Sequence, residues 1–180
     1  KKTALRMIPY GIYVLTADDG AGGVAAATVN WVTQTSFDPP LVAIGLKADS
    51  GAYEVVKKTG VFALNFLGKG HQGAAFTFFK PAQRDGDTIS GEPFHAGANG
   101  APILDNAPAS IECKVEEIVA RGDHHIVVAE LVAADVATAP EGRPDDAVLW
   151  MKDLGDNVSY RGWGTGEIRK DTKLYPKAYN

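Results

Sequence analysis

The sequence predicts a mainly β fold, a closed antiparallel barrel with only short helices inserted between its strands. Three observations lead there. Runs rich in β-branched and aromatic residues recur along the 180-residue chain, clusters of glycine, proline and aspartate separate them at hairpin spacing, and apolar residues three to four apart are confined to short stretches. Strand following strand in this way suits a barrel better than a doubly wound α/β sheet, which alternates helices with parallel strands.

Taken in order, residues 3–7 read as a short helical start and residues 12–16 as a first strand, followed by a turn at Asp18-Asp19-Gly20-Ala21-Gly22-Gly23. Residues 25–35 read as one extended run that Asp38-Pro39-Pro40 ends, because proline cannot donate to a ladder, and a hairpin then leads into a strand at 41–46. Ser50 can cap a helix at 52–58 that leaves through Thr59-Gly60, and residues 61–67 return as a buried strand. Ala75, Phe76 and Phe79 give a short helix within 72–80. Residues 81–107, dominated by glycine, proline and aspartate, read as a long loop of the kind that covers or binds something. A second hairpin follows, with strands at 109–119 and 125–136 around Arg121-Gly122-Asp123. The remainder is a glycine- and proline-rich tail with one strand near 148–151.

An apolar fraction of 45% with 22% charged residues is that of an ordinary globular protein, and the length fits one domain, placed here at 1–162 with a tail at 163–180. Eighteen basic against 22 acidic residues give a net charge of −4, which argues against a nucleic-acid partner. The longest apolar stretches, 61–67 and 126–134, are far short of the ~20 residues that cross a bilayer, so no membrane association and no signal peptide are expected. Cys113 is the single cysteine, which rules out an internal disulfide and fits a reducing, cytoplasmic setting; its alternating surroundings read as a packed thiol.

Four stretches can carry chemistry. Gly68-Lys69-Gly70-His71-Gln72-Gly73 matches G-x-G-x-x-G, but the polar stretch after it offers no second parallel strand, so it reads as a glycine-rich turn, or as a loop over a ligand held elsewhere, rather than a dinucleotide fingerprint. Residues 27–37 crowd hydroxyls and amides into one extended segment, with Thr28, Asn30, Val32 and Gln34 on one face and Val29, Trp31, Thr33 and Thr35 on the other. A solvated strand would look the same. A flavin's isoalloxazine ring, though, needs donors and acceptors along one edge and an apolar platform at the other, and Asn30, Trp31, Thr33 and Ser36 offer that mixture. Lys47-Ala48-Asp49-Ser50-Gly51, between strand and helix, reads as a cap that can also hold a phosphate. His124 and His125 adjoin at a strand start and must point to opposite faces, which argues against a shared metal. No hydrolase elbow is present.

Asn30-Trp31-Val32-Thr33-Gln34-Thr35-Ser36-Phe37-Asp38-Pro39-Pro40-Leu41, Gly60-Val61-Phe62-Ala63-Leu64-Asn65-Phe66-Leu67 and Gly122-Asp123-His124, in this order, resemble the flavin reductase-like family with the FMN-binding split barrel. The Ser-Phe-Asp-Pro-Pro and Gly-Asp-His pieces also look like the flavin reductase module of diflavin flavoproteins. The resemblance implies a homodimer of six-stranded Greek-key barrels, FMN near the subunit interface and NADH or NADPH as hydride donor. It implies Thr28, Asn30, Trp31, Thr33 and Ser36 at the flavin ring and ribityl chain, Lys47 and Ser50 toward the phosphate, and His124 near the nicotinamide. The function so implied is an NAD(P)H:flavin oxidoreductase that serves an oxygenase or another electron-transfer partner. The alternative is a non-enzymatic FMN electron carrier reduced by a partner protein. Hydride chemistry belongs to the cofactor, which accounts for a site without a catalytic triad.

Overall fold

The computed structural model describes residues 1–155; the expected boundary at 162 and the tail lie outside them. After α1 (Lys2–Leu5), the chain forms β1 (Tyr13–Asp18), β2 (Val24–Val29), β3 (Val32–Phe37) and β4 (Pro40–Lys47). Helix α2 (Gly51–Thr59), β5 (Val61–Phe66) and α3 (Gln72–Thr77) follow. Four short strands, β6 (Arg84–Asp85), β7 (Thr88–Ile89), β8 (Glu92–Ala96) and β9 (Pro102–Leu104), precede the long hairpin of β10 (Ala109–Val119) and β11 (His124–Asp135). Helix α4 (Pro144–Ala147) and a 3-10 turn (Met151–Leu154) end the described chain.

The main sheet is antiparallel throughout, with seven strands in the order β2-β1-β5-β10-β11-β4-β3, one more than the six the resemblance implies. It curls around a single core. Leu15, Val29, Ile44, Phe62, Cys113 and Val127 come from six of its strands into one buried cluster, against which Val32 of β3 packs. Helix α2 places Ala52, Tyr53 and Val56 in the same cluster. Its ends follow capping rules: the Ser50 hydroxyl accepts from the Tyr53 N–H, and Gly60, at φ 73°, takes the left-handed conformation that a side chain would strain.

Three expectations are corrected. The run 25–35 is two strands, broken at Asn30 and Trp31, with β2 on one edge of the sheet and β3 on the other. Two residues suffice to cross between edges, so the sheet's edges meet at this end, which is what closes the barrel. Periodicity does not reveal such a crossing because both halves are extended. The loop 81–107 is a four-stranded antiparallel sheet, β6-β7-β8-β9, whose strands of two to five residues are too short to alternate legibly. It does act as a cover: Ile89 and Leu104 join Ile12, Val14, Phe78 and Leu149 in a second core on the outer side of β1. The strand near 148–151 is reduced to isolated bridges, Gly68 with Val148 and Gly11 with Trp150, before the 3-10 turn begins.

Cys113 is fully buried, and desolvation, with the Glu112 charge beside it, pushes its thiol up to about 12 from an ordinary 9.0. The folded state therefore holds the proton more tightly than the unfolded chain. This contribution to stability is constant below pH ~9 and is lost as pH rises from there toward 12. Alkylation by iodoacetamide at pH 8 is expected only after denaturation; modification of the native protein at the unfolded rate would contradict the burial.

Candidate functional site

A cavity of about 600 Å3 opens where the starts of β3 and β11 flank the middle of β4, with residues 8–10 of the N-terminal segment across from them. Trp31, Thr33, Gly45, Asp123, His124 and Ile126 line it. The register explains the convergence. Val32 of β3 and Val127 of β11 both pair with Ile44 of β4, which brings Trp31 and Ile126 to the same level of the sheet.

Gly45 makes room for the indole. Its N–H donates to the Trp31 carbonyl at 2.9 Å, and a Cβ there would lie 3.0 Å from the Trp31 ring. The Trp31 and His124 rings then meet edge to face, 4.6 Å between centroids and 62° between planes. His124 Nδ1 is 3.2 Å from a carboxylate oxygen of Asp123, close enough for an ion pair when the ring is charged. The nearness of the ring holds the Asp123 carboxyl below its usual range, while Nδ1, itself buried, makes no well-aligned hydrogen bond among the described residues. An indole, an isoleucine, a threonine hydroxyl and an imidazole around one hollow offer a flat conjugated ligand both a platform and polar edge contacts. The residues present fit a flavin ring.

Thr33, Trp31 and His124, three of the residues singled out in the sequence, thus line one cavity. Asn30 sits just outside, its side-chain amide donating to Met151 Sδ at 3.8 Å. Thr28 does not line the cavity: its hydroxyl donates to the Ala75 carbonyl at 2.7 Å, tying β2 to α3. Ser36 lies on β3 beyond a bulge between Gln34 and Ser36, also away from the lining. Lys47 and Ser50 occupy the far end of β4 and the α2 cap. There the Lys47 ammonium, 3.0 Å from Asp49, hydrogen-bonds that carboxyl and holds it below its usual range, while Ser50 donates to the Lys47 carbonyl at 2.8 Å.

His125 points away from His124, as strand alternation demands, and its Nδ1 is 2.7 Å from the Tyr53 hydroxyl of α2. The glycine-rich stretch is a turn: Gly68 N–H donates to His71 Nδ1 at 3.0 Å, His71 N–H returns to the Gly68 carbonyl at 2.9 Å, and β5 before it has antiparallel neighbours on both sides. The sequence reading missed residues 8–10 and Gly45. Gly45 did carry a signal, a lone glycine inside an apolar strand, which marks close approach of another group.

A β-barrel with an aromatic and histidine-lined hollow across its closing strands is a small-ligand binding architecture. The flavin reductase like domain matches residues 5–155, and the chain belongs to that family. A probable flavin reductase of Rhizobium meliloti (strain 1021) is 33% identical over 123 residues, 68% of this chain but only 39% of that protein's length. An FMN reductase (NADH) of Pseudomonas syringae pv. syringae (strain B728a) is 30% identical over 118 residues, 66% of each chain. Among solved structures, the styrene monooxygenase flavin reductase from Pseudomonas putida S12 superposes with a TM-score of 0.64 at 33% identity, covering 74% of this chain and 84% of that one.

Proposed function

We propose that this chain transfers hydride from NADH or NADPH to FMN, with the cavity between Trp31 and His124 as the ring site. The observation that carries the reading is the convergence of Trp31, Thr33 and His124 from two separate strands and the crossing between edges onto one hollow, in a chain of this family. Bound there, the flavin would supply the two-electron acceptor. The protein's task is placement and exclusion of water. Trp31 and Ile126 would give the ring an apolar platform, Thr33 and Asn30 hydrogen bonds at its polar edge, and Lys47 and Ser50 a position for the phosphate. His124, on the cavity wall, would hold the carboxamide or a phosphate of the donor.

His124→Ala is expected to keep the fold and FMN affinity and to raise the KM for NAD(P)H about three- to tenfold at constant kcat, the signature of lost uniform binding. Steady-state kinetics on this variant and on His125→Ala check it. An effect confined to His125→Ala would move the donor site to the wrong face of β11 for this reading. In stopped flow, bleaching of the flavin by NADH or NADPH supports the reductase, whereas bleaching only by a reduced protein would make the chain an electron carrier.

The reading extends to a cytoplasmic homodimer that supplies reduced flavin to an oxygenase. Supporting it, Ile126 and Val132 stand exposed along β11, as do Val136 just past its end and Phe37 at the β3–β4 turn, which is 90% exposed. No helix among the described residues is long and apolar enough to cross a membrane. Light scattering is expected to give twice the chain mass at micromolar concentration; a monomer there would contradict the dimer.

A further inference from the structure

A second hollow, of about 460 Å3, adjoins the first across residues 8–10, which line both. Its opposite wall is the 3-10 turn with Trp150 ahead of it. That wall is fixed in place: Ile12 N–H donates to the Leu149 carbonyl at 2.7 Å, and Met151 N–H donates to the Tyr10 carbonyl at 2.9 Å. The indole is fixed too, its Nε1–H donating to the Asp145 carbonyl at 3.1 Å. Arg6 and Lys152 line the hollow, and neither takes part in an ion pair among the described residues. Asp146 is the one carboxylate in the lining against these two cations.

Two cations beside an immobilised indole and the Tyr10 ring form a surface for a planar base joined to an anion: the ring stacks, the cations meet the phosphate. The volume lies within the ~300–1,000 Å3 of small-molecule sites. Because residues 8–10 line both hollows, a ligand that runs over them would reach from one into the other. We infer that the second hollow receives the adenosine-phosphate half of a dinucleotide whose reacting ring lies in the first. The inference rests on the reductase reading for the ring, while the adenosine-phosphate site can be tested without it. The same chemistry is presented by the hydride donor and by FAD.

The probe is AMP, titrated calorimetrically into the full-length chain and its Arg6→Ala/Lys152→Ala and Trp150→Leu variants, with circular dichroism to establish that each is folded. Arg6 and Lys152 are exposed, so their loss leaves the core intact. AMP is expected to bind the parent and to bind the double variant about tenfold more weakly, the ordinary worth of a charge-assisted contact, while FMN affinity stays within about twofold. With FMN as the flavin, a raised KM for NADH in the double variant assigns the hollow to the donor. An unchanged KM with weakened FAD binding assigns it to FAD. Equal AMP affinity in parent and double variant, or no AMP binding to the parent at millimolar concentration, overturns the inference. A parent that binds AMP through these cations yet oxidises no NADH would instead overturn the reductase reading and leave the adenosine-phosphate site in place.

Discussion

Asn65→Ala is expected to destabilise the protein by about 3 kcal/mol. Asn65 has no exposed surface. Its side-chain amide donates to the Val14 carbonyl at 3.0 Å and to the Thr16 hydroxyl at 2.9 Å, and its oxygen accepts from the Leu104 N–H at 2.8 Å. Thr16 in turn donates to the Pro102 carbonyl. One side chain therefore joins β5 and β1 of the barrel to β9 of the covering sheet. Alanine would leave the Leu104 N–H buried without a partner, at about 1–3 kcal/mol, and a void beside it. For a domain of this size the melting temperature should fall by roughly 6–12 °C, read by calorimetry. Asn65→Leu refills the volume but not the hydrogen bonds, so it should rescue little; a leucine variant as stable as the parent would show that packing, not the polar junction, holds the cover on.

Gly45→Val is expected to weaken flavin binding at least about tenfold while leaving the protein folded. A Cβ at position 45 would lie 3.0 Å from Trp31 Cε3 and 3.3 Å from its Cβ, closer than van der Waals contact allows, and a branched side chain adds to the overlap. The indole must then swing off β4, toward His124 and into the hollow. The strand itself accepts the change, since β-branched residues suit it. Flavin fluorescence titration reads the result, with circular dichroism as the control. Unchanged affinity would remove Trp31 from the ring site, and Gly45→Ala should fall between parent and valine variant.

Long strands and capped turns were legible in the sequence because each rests on local chemistry. Ser50 and Gly60 bracket α2 by side-chain oxygen and backbone freedom, and the β10–β11 hairpin shows through an alternating run before Arg121-Gly122-Asp123 and a mostly apolar one after it. The covering sheet was not legible, because β6 and β7 are two residues each and owe their pairing to what they pack on. The lining of the candidate site was legible only in part, for a related reason. Trp31, Thr33 and His124 were nameable from side-chain chemistry and family resemblance, whereas Ile8, Pro9 and Tyr10 enter through tertiary placement alone. Thr28 illustrates the converse: a hydroxyl in a polar-rich strand looked available to a ligand, but it is spent on Ala75, 47 residues away.

The long hairpin is gripped differently on its two sides. β5 pairs with β10 only along residues 109–114, near the hairpin's open end, while β4 pairs with β11 only along 124–130, near its turn. The buried polar junctions of Asn65, Thr16 and Glu112 belong to the first flank, and Trp31, Gly45 and His124 to the second. The two groups sit on opposite flanks of the hairpin and toward its opposite ends, so substitutions in them should combine close to additively in unfolding free energy. A lineage carrying this fold can therefore vary the walls of the hollow between Trp31 and His124 with little thermodynamic coupling to the junctions that keep the barrel covered.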